Sequence, residues 1–548
     1  MRLTAEAREN RDRTMSTDPA ETIEEDAELP TAEQLLRRRG IQKPNVMALL
    51  DPPNRSGLGL GTPRSFTYCE ADAAVDALAA VFVELGLQPG DTIAVQLPNL
   101  ALSPLTVLAA WRSGLTVAAL PMLWRGHEIA GACAELGPKA LVGVSCLGDE
   151  TPIETLCAVA AGHSSVRFVL GFGPHLPDGV ASLDEAINTR RDLRQVEAPT
   201  RAGPAMITFT ARAGMPFIAV ERLEEELLAQ GAMTVLTLDL DRSDVILNPY
   251  PLTGPTGLSL GFLPWLISGG ALAQHHPFDY VAFAEQLIAT GATVTALPTP
   301  VLAELVKDGV PQRPQCRLRR VGAVWTGVEQ AERLALSFGD AAELFDLYSL
   351  GDVASVVLKR KLPDEPVPLP LGKIPLGEDD DDAVFVETKL SAGRDSDGYG
   401  ELMLRGPVVP RGTVQGPLAP DEGFFIATGL RGKLSGETGM SLDLKGDHEL
   451  LRHGGLTIAA SEFDELYRSF PAFLDAACFV LPDPLVGDHV IAAVVPLPGE
   501  PVTLEALNRF LEERRVAPYK FPDKLLIVNR IPRDEDGRVL RDEILLQV

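Results

Sequence analysis

Helical and strand-like segments that alternate with short connections are the feature that most constrains the fold of this chain. Residues 71–86 place apolar side chains at helical spacing, whereas 92–97 and Ala140–Val144 are apolar runs of strand length. A helix that returns the chain between two such strands leaves them side by side and parallel. The segment 66–144 therefore predicts βαβ units around a largely parallel sheet.

A second alternating run, over about 204–330, predicts another unit of the same kind. Residues 206–210 and Val245–Asn248 have the pattern of short strands, and 219–231 has the pattern of a helix. We therefore expect an α/β fold whose large N-terminal region holds two α/β subdomains.

The residue composition of the sequence changes after about residue 354. Prolines and glycines become dense up to 445, and short pieces such as Gly400–Arg405 predict a small β-rich unit. We interpret the acidic run 378–382 as a solvated loop, because blocks of like charge repel one another. Alternation returns from about 461 onward, which predicts a small, mobile C-terminal α/β domain.

These changes predict three regions along the chain. They are a flexible N-terminal tail at 1–30, a large N-terminal domain at 31–445 and a small C-terminal lid domain at 446–548. The first thirty residues are charged throughout and lack an apolar run, so we do not interpret them as a signal peptide. Met15 is an alternative to Met1 as the start of the protein.

Composition excludes several classes of function. The 548 residues include 49 basic and 76 acidic side chains, a net charge of −27, and such a surface repels nucleic acid and anionic membranes. No apolar run reaches the ~18 residues of a membrane span. The six cysteines form no C-x-x-C pair, which favours free thiols in a reducing compartment and a cytoplasmic location.

Several short motifs occur in a characteristic order along the chain. They are Phe66-Thr67-Tyr68, Gly90-Asp91, Leu97-Pro98-Asn99, Gly400-Glu401-Leu402, Pro482-Asp483, Gly487-Asp488 and Tyr519-Lys520-Phe521-Pro522. In this order, over 45–548, the chain resembles the adenylate-forming superfamily of AMP-dependent synthetases and ligases, acyl-CoA synthetases in particular. The resemblance implies ATP and Mg²⁺ as cofactors, activation of a carboxylic acid as acyl-AMP, and transfer to a thiol such as coenzyme A.

The resemblance implies a phosphate-binding loop at 210–218, and this chain departs from the family there. Thr210 and Gly214 keep the family pattern, and Arg212 is a candidate phosphate contact. Phe217 stands where the family has a lysine. A lone glycine cannot form the nest of amide donors that holds a phosphate, so the resemblance predicts weak phosphate binding here.

The other positions of the nucleotide site match the family pattern only in part. The resemblance implies that Tyr348 stacks on adenine, that Gly327 lets adenine approach the backbone, and that Asp352 holds Mg²⁺. Leu430 replaces the aspartate that binds the ribose hydroxyls in the family, and leucine cannot accept those hydrogen bonds.

The C-terminal domain carries two further candidates by resemblance. Arg538 takes the place of the family's catalytic lysine and keeps its positive charge, although a planar guanidinium does not replace a compact ammonium at a tight site. Glu449 is the candidate hinge carboxylate, and the small domain is expected to rotate near 445–449.

These departures predict a divergent acyl-CoA synthetase homologue that is weak or inactive in adenylation. It would retain an acyl or nucleotide pocket and bind a small carboxylic or acyl molecule, with fatty acid metabolism as the expected setting. Two alternatives stay open: a working carboxylic acid–CoA ligase that uses Arg538, Arg212 and Asp352 as substitutes, and a non-catalytic interaction or scaffold protein on the same fold. A homo-oligomer or an active paralogue is the protein partner that this interpretation leaves open.

Overall fold

The computed structural model describes most of the chain. The described residues are 30–189, 199, 203–212, 215–326, 338, 342–362, 365–375, 384–417, 424–435, 441–446, 449–453, 456–481, 489–499, 502–535 and 537–545. The predicted tail before residue 30, the acidic run 378–382 and the candidate residues Gly214 and Gly327 lie outside them.

The helices of the described residues are short to medium in length. They are α1 (Ala32–Gln42), α2 (Tyr68–Glu84), α3 (Leu102–Arg112), α4 (Gly126–Leu136), α5 (Pro152–Gly162), α6 (Leu183–Thr189), α7 (Glu224–Leu238), α8 (Pro255–Gly257), α9 (Leu263–Ser268), α10 (Tyr280–Thr290), α11 (Thr299–Lys307), α12 (Ala460–Arg468), α13 (Leu504–Glu513) and α14 (Arg541–Leu545). Pro53–Leu58 and Pro518–Lys520 are 3₁₀ turns, and Leu258–Phe262 is a π-helical turn. Within this part of the chain no helix combines the length and the apolar character needed to cross a membrane.

The strands fall into two groups along the chain. The first are β1 (Met47–Leu50), β2 (Ser65–Thr67), β3 (Thr92–Val95), β4 (Thr116–Ala119), β5 (Ala140–Val144), β6 (Phe168–Phe172), β7 (Ala181–Ser182), β8 (Met206–Arg212), β9 (Met215–Arg222), β10 (Val245–Asn248), β11 (Ala271–Gln274), β12 (Val294–Pro298), β13 (Arg320–Trp325), β14 (Glu343–Leu350) and β15 (Ala354–Lys359). The second are β16 (Gly372–Pro375), β17 (Val384–Arg394), β18 (Gly400–Arg405), β19 (Gly412–Thr413), β20 (Gly416–Pro417), β21 (Ile426–Ser435), β22 (Ser441–Gly446), β23 (Leu450–His453), β24 (Leu456–Ala459), β25 (Phe473–Leu481), β26 (His489–Pro496) and β27 (Lys524–Ile527).

Two large sheets form the centre of the molecule and confirm the predicted α/β subdomains. One has the order β20-β19-β9-β8-β4-β3-β5-β6-β7 and the other β15-β14-β13-β12-β10-β11-β1-β2. Their central strands pair in parallel, and β4 and β13 are buried at every residue. Helices cover both faces of such strands, which is why their sequences are continuous apolar runs rather than alternating ones.

The predicted helix at 219–231 is wrong in its first part. Met215–Arg222 is a strand that pairs antiparallel with Met206–Arg212, and α7 begins only at Glu224. Because pairing with a strand partner overrides weak local preference, the tertiary contact decided the outcome.

The β-rich unit predicted after residue 354 is confirmed as a five-stranded antiparallel sheet with the order β16-β17-β18-β21-β22. It packs tightly on the turn between β14 and β15. Gly351 in that turn has φ +61°, and a Cβ there would lie 1.7 Å from the carbonyl oxygen of Thr428 in β21. Only glycine fits so close an approach.

The C-terminal unit, β23 to β27 with α12 to α14, has its own hydrophobic core. Its buried ionic centre is Arg541, whose guanidinium contacts both oxygens of Glu449 at 3.0 Å and both oxygens of Asp464 at 2.9 and 3.1 Å. It also donates to the carbonyl of Cys478. These contacts raise the pKa of Arg541 despite its burial, so it stays charged and joins the start of the unit to its last helix.

The substitution Arg541→Ala should destabilise the C-terminal unit by about 3–5 kcal/mol, because it leaves the buried Asp464 without its partner. Urea unfolding followed by fluorescence measures the effect. Arg538→Ala is the matched control: its side chain is exposed three residues away, and its effect should stay within about 0.5 kcal/mol. Equal stability of the two variants would contradict the assignment.

Candidate functional site

A cavity of about 570 Å³ lies where the carboxyl ends of strands from both large sheets meet. Its walls come from the segments after β3, β4, β10 and β11 and from the ends of β13 and β14. The lining residues are Asn99, Pro121, Met122, Leu123, Phe209, Tyr250, Pro251, Thr253, Gly254, Pro255, Thr256, Gly257, His276, Val324, Thr326, Ser349, Asp352 and Leu456. Open α/β sheets bind ligands at this edge, since the strand ends converge there and the loops are free to vary.

Asn99 ties the two sheets together beside the cavity. Its side-chain nitrogen donates to the carbonyls of Asn248, at the end of β10, and of His275, just after β11, at 2.8 and 3.2 Å. The side chain is buried, so these bonds are protected from water. The motif Leu97-Pro98-Asn99 predicted only the fold from the sequence. In the structure, Asn99 also shapes the cavity.

Two adjacent histidines follow β11, and the second of them lines the cavity. Nε2 of His275 accepts from the amide of Asp279 at 3.2 Å, so the ring proton lies on Nδ1, which donates to Gln286 at 2.8 Å. His276 lines the cavity itself. Burial first, and then the neighbouring His275, lower the pKa of His276 to about 4, so it is uncharged at neutral pH.

Asp352, the candidate magnesium ligand, lies on the cavity wall in the turn between β14 and β15. Its φ of +55° is one that aspartate tolerates better than most residues. Buried Arg222 fixes this turn by donating to the carbonyls of Asp352 and Val353 at 2.8 and 2.9 Å. Burial lowers the pKa of Arg222 to about 10, which leaves it charged at neutral pH.

Thr210, a candidate nucleotide-binding residue, contacts the residue that precedes Asp352. Its hydroxyl donates to the carbonyl of Gly351 at 3.2 Å, which links β8 of one sheet to the turn after β14 of the other. The structure therefore brings Thr210 and Asp352 together.

Tyr348, the candidate for stacking on adenine, is buried near the end of β14, and that role stays a prediction. Its ring stacks on Trp325 with 6.3 Å between the ring centres, and its hydroxyl donates to the carbonyl of Val367 at 2.6 Å. Burial raises the pKa of Tyr348, so the hydroxyl stays protonated. The residue packs behind the cavity wall, and Ser349 is the member of this strand end that lines the cavity.

The segment aligned with the phosphate loop is a tight β-hairpin. Arg212 pairs with Met215, so only two residues connect β8 to β9. Phe217, at the position where the family has a lysine, packs on Phe209 and Trp124 with ring centres 5.1 and 5.7 Å away. Backbone amides that pair in a ladder are not available to a phosphate. The backbone of Arg212 belongs to this hairpin, while its side chain lies outside the described residues.

The two C-terminal candidates lie away from the cavity in this arrangement. Arg538 is exposed, and its backbone amide donates to Asp534 at 2.8 Å within a loop closed by an Arg533–Val539 bridge. Glu449 is engaged by Arg541 inside the C-terminal unit. Leu456 in β24 is the residue of that unit that lines the cavity, so Asp352 and Arg538 are not brought together here.

Lys520 is an interface residue that the motif comparison identified only as part of the scaffold. It is buried between Glu128 of α4 and Glu462 of α12, and it borders a second cavity of about 250 Å³ between the two units. Pro121, Phe209 and Leu456 line both cavities, so the two adjoin.

The described residues offer one candidate ligand for Mg²⁺. Among them, no three His, Cys, Asp or Glu side chains come together as a metal site, so Mg²⁺ would rely on Asp352 with phosphate oxygens and water. At the described part of the segment aligned with the phosphate loop, the aromatic Phe217 brings no positive charge, while the side chain of Arg212 lies outside the described residues.

Comparison with known sequences defines the class of protein. The profile of the AMP-binding enzyme family matches residues 36–413, and the profile of the AMP-binding enzyme C-terminal domain matches 462–538. The chain belongs to the AMP-binding enzyme family, and the predicted adenylate-forming superfamily is confirmed. Members of this superfamily generally use ATP, Mg²⁺ and coenzyme A.

Similar proteins of known activity are acid ligases. A Streptomyces salicylyl-CoA synthase / salicylate adenylyltransferase is 27% identical over 508 residues, which are 87% of this chain and 89% of the relative. A salicyl-AMP ligase / salicyl-S-ArCP synthetase of Mycobacterium tuberculosis is 28% identical over 557 residues, 94% and 91% of the two chains. The o-succinylbenzoate CoA synthetase of Bacillus subtilis has the same fold, with a TM-score of 0.71 at 20% identity and coverage of 93% and 97%.

Lowering the pH should weaken the fold through His276. The folded protein takes up this proton only near pH 4, whereas the unfolded chain takes it up near pH 6.5, so stability present above pH 6.5 is lost as the pH falls toward 4. His276→Asn should flatten that part of the pH dependence of the unfolding free energy. His175→Asn, at an exposed position with φ +56°, is the control and should leave the dependence unchanged. Parallel pH profiles for His276→Asn and the unchanged protein would contradict this.

Proposed function

We propose that this chain is a carboxylic-acid-binding member of the AMP-binding enzyme family in which adenylation is weak or absent. The cavity at the strand ends holds the acyl group, and the nucleotide end of the site has lost its phosphate-binding parts. The regions 31–445 and 446–548 are its proposed domains, and the cytoplasm is its proposed location. We keep a homo-oligomer or an active paralogue as the proposed protein partner.

The single observation that carries the proposal is the hairpin at β8 and β9. Pairing of Arg212 with Met215 and packing of Phe217 on Trp124 and Phe209 fill the segment where the family binds phosphate. Removing one donor from a preorganised charge-stabilising site costs ~10²–10³ in rate. Leu430, at the ribose position by resemblance, is buried and reinforces the same conclusion.

The proposed ligand class is an aromatic carboxylic acid. Apolar and flat groups, among them Phe209, Tyr250 and Val324, dominate the cavity wall, and an aromatic ring suits such a surface. Relatives of similar length act on salicylate by their descriptions, which supports the same class. The proposed ligand is therefore an aromatic acid rather than a fatty acid.

Calorimetry should detect binding of a salicylate-type acid to the purified protein and no binding of ATP·Mg up to millimolar concentration. The reason is that apolar side chains dominate the cavity wall, while the described part of the phosphate segment has Phe217 in place of the family's lysine. The matched variant is Phe217→Lys, which returns a cation to the family's position and should raise ATP affinity. Micromolar ATP binding by the unchanged protein would refute weak adenylation, and absence of acid binding would refute the acyl site.

A working ligase is the second candidate, and the fixed position of Asp352 favours it. Arg222 holds the turn so that the carboxylate stays on the cavity wall, where it would serve as a metal ligand. Rotation of the C-terminal unit would have to bring Arg538 to the acid.

Under this candidate, pyrophosphate exchange with an aromatic acid should be measurable and should fall by at least ~10²-fold in the double variant Asp352→Ala, Arg538→Ala. Our first proposal instead expects exchange at background in both proteins. Exchange that the double variant leaves unchanged would exclude these two residues from catalysis.

A further inference from the structure

A buried lysine joins the two units across their interface. Nζ of Lys520 lies 2.9 Å from Oε1 of Glu128 in α4, and it also contacts Glu462 in α12. The side chains of Lys520 and Glu128 are 1% and 3% exposed, so their attraction is only weakly screened. Glu128 belongs to the N-terminal unit, whereas Lys520 and Glu462 belong to the C-terminal unit.

Backbone hydrogen bonds surround this ion pair and also cross the interface. The amide of Ala517 donates to Oε1 of Glu128 at 3.2 Å, and the amide of His127 donates to the carbonyl of Arg515 at 3.1 Å. His127 lies in the first turn of α4, where amides have no partner within their own helix. The C-terminal unit therefore satisfies an end of a helix that belongs to the other unit.

Docking through Lys520 decides what faces the acyl cavity. In the docked arrangement β24 lies against β8 and β9, and Leu456 closes part of both cavities. Exposed Arg538 lies on a different loop of the same unit. The orientation of the C-terminal unit that buries Lys520 is thus the one in which Leu456, rather than Arg538, faces the cavity.

We infer that Lys520 is a positioning residue: paired with Glu128, it latches the C-terminal unit in the orientation that covers the acyl cavity with Leu456. The carbonyl of Lys520 accepts a hydrogen bond from the buried hydroxyl of Tyr467 at 2.8 Å, which holds the lysine in place within its own unit. Truncation of the lysine would leave the Glu128 carboxylate buried without a cation, and the docked arrangement would be destabilised. This inference does not depend on whether the protein binds ATP or an acid.

Hydrogen exchange at the His127 amide tests the latch, because its acceptor is the carbonyl of Arg515 in the other unit. In Lys520→Met this exchange should become at least ~10-fold faster, as expected when a buried ion pair is broken. Small-angle scattering should show a larger radius of gyration. Lys524→Met, at an exposed lysine in β27 of the same unit, is the matched control and should change neither measurement.

A second variant keeps the test decisive if Lys520→Met fails to fold. Glu128→Gln removes the other half of the pair from the opposite unit and should give the same faster exchange at His127. Unchanged exchange in both variants would overturn the inference. Since both measurements use the protein without any ligand, a failure of the latch is distinguishable from a failure of the proposed acid site.

Discussion

The hydrogen bonds of Asn99 are the interaction on which the site depends. Two sheets of largely parallel strands can form a cavity where the carboxyl ends of their strands meet only if those strand ends are held at a fixed distance. The amide of Asn99 does this by bridging from the end of one sheet to two carbonyls at the end of the other. Thr210 adds a second bridge to the turn after β14. The cavity is therefore formed by the way in which the two sheets meet, and loops complete its wall.

The chemistry of this cavity follows from what surrounds its few polar groups. Burial keeps His276 neutral, and Arg222 keeps the turn of Asp352 in place without entering the cavity. The segment that corresponds to the family's phosphate loop differs from the cavity wall, because paired strands and an aromatic cluster form its described part. Under the proposed function, this chain would retain the part of the family's site that is built from strand ends, while the part built from the loop between β8 and β9 differs.

Much of the fold could be predicted from the sequence, because apolar runs such as Ala140–Val144 and Val245–Asn248 are set by burial within a parallel sheet. The strand Met215–Arg222 could not be predicted, because its pairing with another strand, rather than its own residue pattern, determines its conformation. Motif order selected Thr210 and Asp352 as candidates, but the contact of Thr210 with the turn after β14 was not predicted. The burial of Tyr348 against Trp325 and the pairing of Lys520 with Glu128, 392 residues apart, depend on contacts that no local pattern encodes.

The contact between Arg541 and Glu449 has a consequence for movement of the C-terminal unit. Because Glu449 is bound to the core of that unit, it moves with the unit, and β22 of the N-terminal region ends only three residues earlier in the sequence, at Gly446. So short a tether would keep the two docking faces at an effective concentration of order millimolar even when apart. A docking interaction with a Kd of order millimolar between separate molecules would therefore be strong enough to keep the two units of this chain docked. One lysine–glutamate pair can therefore set the population of closed molecules.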